Sequence, residues 1–391
     1  MLNRTSTIRR GIVYLPVALL LSLAVIPAVA ENAAYLQGNG VKSAGMAGTS
    51  LAYVQESTAA ISNPAGMATV GTRCDIGSQF VYVHADSVFS GLGQEAPRKM
   101  TANPFSPIPE VGCNYQVNPK LTVGFTSNMG GAGASYGQPY FAGMKKAGST
   151  FMFVQAAPTI SYRLTPKVVI GVSPILAAER FNVQGSLVGI THNNAYAFGY
   201  GIRGGALVNV SKAITIGGSY TSKTNFTRLR AYGQDILAAS GGRIALPDSY
   251  GVGVAFHRNA KATIAFDWVR FNWTTSPAFR EVFQWKDQNV EKIGVSYAYN
   301  KDTTLRGGYS FAPQYFGTSA LLNNFTSPLT NQQNVSVGAT RKIGRHGEIS
   351  GYYEYDFGGG GNVTGTGLSA GSSVKSRQMY MGVAYGYSFG R

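Results

Sequence analysis

The chain has 391 residues, and only 13% of them are charged, about half the usual share of a soluble domain. Its 50 glycines lack the three-residue period of collagen, and 44% hydrophobic content argues against disorder. Beyond residue 30 no stretch of about 18 apolar residues could form a membrane helix. The formal charge of +16 is scattered over turns and strand ends with no basic run longer than two, which argues against a nucleic-acid surface and suits an anionic membrane face such as lipopolysaccharide phosphates.

In chain order, Arg4, Arg9 and Arg10 precede the apolar run from Ile12 to Pro27 and the small-residue site Ala28-Val29-Ala30. Residues 1–30 therefore read as a signal peptide, with the mature chain starting near Glu31. Without those three arginines, 30 basic residues face 17 acidic ones, leaving +13. In an oxidising compartment the two cysteines, Cys74 and Cys113, are either a disulfide or two small buried thiols. Residues 31–73 are dominated by small side chains, with short helices expected over 43–54 and 57–62 and a turn enforced at Asn63 by Pro64. Such a segment is either a periplasmic tail or a plug. A tail has no need of a rigid Asn-Pro turn, so a plug is favoured.

From residue 74 to 391 the pattern changes to period two. Leu121, Val123 and Phe125 interleave with Thr122, Gly124 and Thr126; Ile293, Val295, Tyr297 and Tyr299 alternate with Lys292, Gly294, Ser296 and Ala298. Short turns at 118–120, 165–167, 211–212, 258–261, 300–302 and 344–346 alternate with long loops at 89–106, 129–149, 182–195, 232–247, 273–288, 314–332 and 358–373. Six turns and seven loops join fourteen strands. An even count with short turns on one side and long loops on the other predicts an all-β, antiparallel transmembrane barrel, closed because lipid pairs no backbone group. Tyrosines and tryptophans at strand ends are expected in the interfacial girdles. The inward charges Arg203, Asp267, Lys292, Arg306, Glu354 and Asp356 are expected to pair across the lumen and brace it, or to line a ligand path.

The glycine- and alanine-rich start ending in Asn63-Pro64-Ala65 resembles the N-terminal hatch of the FadL/TodX family of outer-membrane transporters. The likeness continues through Ile108-Pro109-Glu110 on the second strand, Thr126-Ser127-Asn128-Met129-Gly130 on the third, Leu246-Pro247-Asp248-Ser249-Tyr250 at the eighth, and Asp267-Trp268 with Trp273. The resemblance implies a Gram-negative outer-membrane barrel plugged by a hatch, taking up long-chain fatty acids or similar hydrophobic compounds by facilitated diffusion. It further implies ligand capture among extracellular loops, transfer to an apolar pocket, and release by hatch movement or through a kink in the third strand, here at Gly130, Gly131 and Gly133. By the same resemblance Arg180 holds a ligand carboxylate beside Phe181, with Glu179-Arg180 as a bare rim ion pair the alternative. Two departures stand out. Loops 182–195 and 232–247 are short for a capture groove, although Ile236 and Leu237 keep an apolar patch, and Gly390-Arg391 follow the terminal aromatic Phe389 that the barrel-assembly machinery reads.

A monomer without cofactor or metal is expected, since His84, His192, His257 and His346 fall on separate segments without ligand spacing and no catalytic set is present. Passive uptake is energetically sufficient, because each buried methylene contributes about 0.8 kcal/mol. The rival from another class is a structural or adhesive barrel whose loops bind a lipid or host surface; a general porin is disfavoured by the plug.

Overall fold

The computed structural model describes residues 33–90, 96–186, 192–330, 332–357 and 363–389. The expected signal peptide, the start at Glu31, the glycine run at 358–361 and the terminal Gly390-Arg391 lie outside the described residues.

Period-two patterning becomes fourteen long strands: β1 (Arg73–Phe89), β2 (Phe105–Gln116), β3 (Leu121–Ala132), β4 (Gly148–Arg163), β5 (Val168–Gln184), β6 (His192–Asn209), β7 (Ile214–Thr221), β8 (Ser249–His257), β9 (Ala262–Phe271), β10 (Gln288–Ala298), β11 (Thr303–Phe311), β12 (Gln333–Ile343), β13 (Gly347–Phe357) and β14 (Ser373–Ser388). Each pairs antiparallel with the next, and β14 pairs with β1 from Arg73↔Ser388 to Val88↔Ser373, so the sheet closes. Short strands at Arg98–Ala102, Asn225–Phe226 and Val363–Thr364 extend the sheet into the long loops. The barrel opens at Arg73, one residue before the expected boundary. β7 ends early, at Thr221, so the following loop runs over 222–248 and is longer than the expected 232–247.

The short turns share one device. Asn118 Oδ1 accepts the N–H groups of Lys120 and Leu121, both at 2.9 Å, and Asn259 and Asn300 do the same two and three residues on. Thr165 and Ser211 hydroxyls make the equivalent contacts. A side-chain acceptor at the first turn position thus closes five of the six turns.

Alternation sorts the faces. Ile76, Tyr200, Val252, Val337 and Met381 point outward and are exposed, whereas Arg203, Asp267, Lys292 and Ser296 point inward and are buried. Cys74 and Cys113 stand opposite each other on β1 and β2, with Cα atoms 4.1 Å apart, and form a disulfide on the outward face near the short-turn end. Of the three tryptophans only Trp268 lies on the outward face of a strand. Trp273 and Trp285 lie in the long loop between β9 and β10 and are buried, because the long loops fold into an aromatic core of their own.

The hatch fills the lumen. It contains one α-helical turn (Val41–Ala44) and two 3₁₀ helices (Ser57–Ile61 and Pro64–Thr69), shorter than the expected 43–54 helix because Gly48 turns the chain at φ +80°. Asn63 is extended, and its Oδ1 accepts from Ala65 N–H at 3.1 Å, capping the helix that Pro64 opens. Wall side chains grip this segment. Asp267 Oδ2 accepts from Ser50 and Leu51 N–H at 2.7 and 2.9 Å, Lys292 Nζ donates to Gln37 O at 2.7 Å, and Arg306 donates to Gln55 Oε1 at 2.8 Å. Lys42 of the hatch pairs with Glu348, which also takes Arg73. Asp267, Lys292 and Arg306 therefore hold the hatch: its backbone supplies partners for Asp267 and Lys292, and Arg306 bonds both the Gln55 side chain of the hatch and Thr340 of the neighbouring strand at 2.7 Å. Gly171 and Gly308 face it at close approach: a Cβ at either position would collide with hatch backbone at Pro64-Ala65 or Met46-Ala47.

Candidate functional site

Above the hatch, on the long-loop side, lies a cavity of about 280 Å³. Phe151 reaches it from β4 and Phe181 from β5, while the loops contribute Ile236, Phe279, Phe283, Trp285 and Leu322. Tyr140, Gln184, Asn323 and Asn324 add hydroxyl and amide groups, and none of its lining side chains is charged. Pro277 starts the turn Ala278–Val282 that carries Phe279 inward. Phe279 stacks on Trp285 at 4.3 Å and 24°, and Trp285 Nε1 donates to Asn324 Oδ1 at 2.5 Å. The indole N–H of Trp273 goes to Gln288 Oε1 at 3.1 Å. With both indole donors satisfied, the rings present hydrocarbon alone to the space between them.

Rings continue from this cavity toward the hatch. Phe279 contacts Trp273 at 4.9 Å, and Trp273 contacts Tyr35 of the hatch at 5.6 Å. Tyr35 also stacks on Phe271 at 5.2 Å and meets Phe153 edge-on at 5.3 Å. Burial pushes the Tyr35 phenol well above its ordinary range, so the ring stays neutral. On the far side is a second cavity of about 90 Å³, where Tyr35 and Phe271 meet the polar wall residues Asn128, Gln155, Arg203 and Lys292. The aromatic set is thus a septum between an apolar chamber and a polar one, and one of its members, Tyr35, belongs to the hatch.

The wall beside this septum is incompletely zipped. β2 and β3 pair from Gln116↔Thr122 to Val111↔Ser127 and no further. Above that point β2 stays with β1 as far as Tyr82↔Phe105, and β3 stays with β4 as far as Ala132↔Phe151. In the gap Gly131 N–H donates to Ala34 O of the hatch at 2.9 Å.

The expected site residues divide. Phe181 and Ile236 line the cavity; Leu237 is fully buried but does not. Arg180 faces the other way. Strand alternation places it opposite the exposed Tyr196 on the outward face, with its guanidinium 3.4 Å from Met152 Sδ, so it does not line the cavity with Phe181. Inward at that level is Glu179, fully buried, whose carboxylate oxygens find no hydrogen-bond partner among the described residues. Glu179 and Arg180 point to opposite faces, and no ion pair joins them among the described residues. Asn63, Pro64 and Ala65 sit low in the lumen, where Asn63 Nδ2 donates to Ala206 O of β6 at 3.0 Å and Ser161 of β4 bonds Pro64 O. Gly130 and Gly131 lie in the upper part of β3, which pairs with β4 but not with β2, and Gly133 follows its end at φ +150°. Sequence reasoning missed Tyr35, Phe151, Phe153, Phe279, Phe283 and Trp285. The available signal was the density of aromatics in the 273–288 loop, too many for a solvated connection. Among the described residues no group of three His, Cys, Asp or Glu could hold a metal.

The chain matches the outer membrane protein transport protein family (OMPP1/FadL/TodX) over residues 23–389. Its fold recurs in solved structures. The P. putida toluene transporter TodX aligns with TM-score 0.71 and 18% identity, covering 91% of this chain and 100% of its own. A Pseudomonas aeruginosa FadL homologue aligns with TM-score 0.72 and 13% identity over 91% and 99%. The CymD monoaromatic hydrocarbon channel aligns with TM-score 0.63 and 15% identity over 92% and 100%. A search of proteins of curated function finds no match.

Proposed function

Because the chain belongs to the FadL/TodX family of outer-membrane transport proteins, we propose that it carries small neutral hydrophobic compounds, of the size of a substituted single aromatic ring, inward by facilitated diffusion. The observation that carries this reading is the uncharged aromatic chamber. A dry apolar cavity of about 150 Å³ already accepts benzene, so about 280 Å³ leaves room for one ring with substituents. A long-chain fatty acid anion would lie there without a counter-charge, since Arg180 points outward, and an unpaired buried carboxylate is strongly disfavoured. TodX and CymD, named for toluene and monoaromatic hydrocarbons, support the same ligand class.

In this reading the chamber captures the ligand by hydrophobic burial, and movement of Tyr35 with the hatch opens the septum. The unpaired stretch between β2 and β3 offers a lateral exit at Gly130 and Gly131. Residues 1–30 are removed on export, and the barrel-assembly machinery inserts the remainder as a monomer. Transport needs no bond to be made or broken. The test is uptake of radiolabelled toluene and oleate by cells lacking the gene and by the same cells complemented. Toluene uptake should fall on deletion and return with the gene. Unchanged uptake of both compounds would overturn the transport reading, and a loss confined to oleate would overturn the ligand class.

A further inference from the structure

We propose that the outward face of β14 and β1 at the long-loop end is a binding site for lipopolysaccharide, with Lys99, Arg377 and Lys375 holding the phosphates of its lipid A. Strand register assembles the site. Arg377 stands opposite His84, Lys375 opposite Asp86, and Thr101 and Lys99 of the short strand stand opposite Asp86 and Val88. Directly opposed residues share a face, so all three cations point outward, and all three are exposed. Their potential is not cancelled. Among the described residues the one carboxylate in the cluster, Asp86, takes His84 Nε2 at 3.0 Å, while His84 Nδ1 meets Asn103 Oδ1 at 2.7 Å. Among the described residues none of the three cations has a carboxylate within ion-pair distance.

Height selects the partner. The row Cys74↔Tyr387 marks the short-turn end of this face, beside Tyr385 and Phe389. From there to the row His84↔Arg377 the face carries Ile76, Ser78, Phe80 and Tyr82 on β1 and Met379, Met381, Val383 and Tyr385 on β14, with no charge. Ten residues at about 3.3 Å each, tilted by about 40°, rise about 25 Å, the thickness of the apolar band of an outer-membrane barrel. The first cation therefore emerges where acyl chains end and headgroups begin on the outer side, with Lys375 and Lys99 one and two rows above. The headgroup at that depth in the outer leaflet is the phosphorylated sugar of lipid A. Arg and Lys recognise phosphate through charge-assisted hydrogen bonds, strengthened at the membrane surface by the summed potential.

The test uses the whole protein in detergent, titrated with fluorescent diphosphoryl lipid A, with dephosphorylated lipid A, and with phosphatidylglycerol. Each cation near a lipid surface contributes about fivefold, so the triple variant Lys99→Ala, Lys375→Ala, Arg377→Ala should bind diphosphoryl lipid A about 100-fold more weakly. Dephosphorylated lipid A should bind wild type about as weakly as the variant binds the phosphorylated form, and phosphatidylglycerol, with a single phosphate charge, should lose clearly less affinity in the alanine variant than diphosphoryl lipid A does. A charge-preserving variant, Lys99→Arg, Lys375→Arg, Arg377→Lys, should retain affinity, separating charge from folding. Equal lipid A affinity in wild type and the alanine variant would overturn the site. So would equal loss in the charge-preserving variant, or an equal loss of phosphatidylglycerol binding. Toluene binding in the loop chamber should be the same in all three proteins, so this outcome is independent of the transport reading.

Discussion

Removing the Asp267 carboxylate should loosen the hatch without unfolding the barrel. Asp267 Oδ2 is the acceptor for two consecutive hatch N–H groups, those of Ser50 and Leu51, and all three residues are at most 4% exposed. A hydrogen bond to a charged group contributes about 1.5–3 kcal/mol, and an orphaned buried donor costs a similar amount. Asp267→Ala should therefore favour local undocking of the 48–52 turn by about 3–5 kcal/mol. Even 3 kcal/mol raises the undocked population more than 100-fold, since each 1.4 kcal/mol is tenfold. Asp267→Asn keeps one carbonyl acceptor and should show a smaller effect. The assay is hydrogen–deuterium exchange of peptides covering Ser50 and Leu51 in detergent, with planar-bilayer conductance in parallel and strand peptides as the folding control. Faster exchange confined to the hatch, with more frequent conductance bursts, is expected. If these amides exchange at the wild-type rate in Asp267→Ala, the hatch is not held by this wall contact.

Three further outcomes follow from the same contacts. Glu56, fully buried in the hatch beside Lys42, Asp75 and Glu110, has its carboxyl pushed up to about 8, first by desolvation. A raised carboxyl binds its proton more tightly in the docked state, so its contribution to docking is fully present below its ordinary 4.5 and is lost as pH rises toward 8. Hatch protection, with the intrinsic base-catalysed exchange rate divided out, should fall across that window in wild type and much less in Glu56→Gln, which keeps the acceptor for Lys42 and Ser43 N–H; identical protection profiles would exclude Glu56. Reducing the Cys74–Cys113 disulfide, which closes a 39-residue separation, should lower unfolding stability by up to about 4 kcal/mol on the chain-entropy estimate, seen as a lower urea midpoint. An unchanged midpoint would contradict it. Glu179→Gln removes a buried carboxyl without hydrogen-bond partners among the described residues and should leave stability equal or higher by the same measurement.

The barrel was legible because lipid imposes one rule on every strand: apolar outward, small or polar inward. That rule also sorted Asp267, Lys292 and Arg306 correctly to the lumen. Their partners were not legible, since the path of a 40-residue segment through the lumen leaves no periodic trace, and Ser50, Leu51 and Gln37 meet them only through backbone atoms. Arg180 is the opposite case. The role came from resemblance, while alternation alone separates Arg180 from Phe181 onto opposite faces. Trp273 and Trp285 fall in a long loop with no periodic pattern to place them; the loop folds back, so that Trp285 lines the chamber and Trp273 packs behind Phe279. The disulfide was undecidable from spacing because it depends on β1–β2 register, which sets Cys74 directly against Cys113.

Trp285 lines the chamber and stacks on Phe279, so its fluorescence reports occupancy directly. The most direct measurement is titration of the purified protein with toluene and with palmitate, read by tryptophan emission, in wild type and in Phe279→Ala. Saturable quenching by toluene, tighter than by palmitate and weakened about tenfold or more in Phe279→Ala, is the expected result. Tighter binding of the carboxylate, or a toluene response that Phe279→Ala leaves untouched, would contradict a neutral aromatic-sized ligand in this chamber.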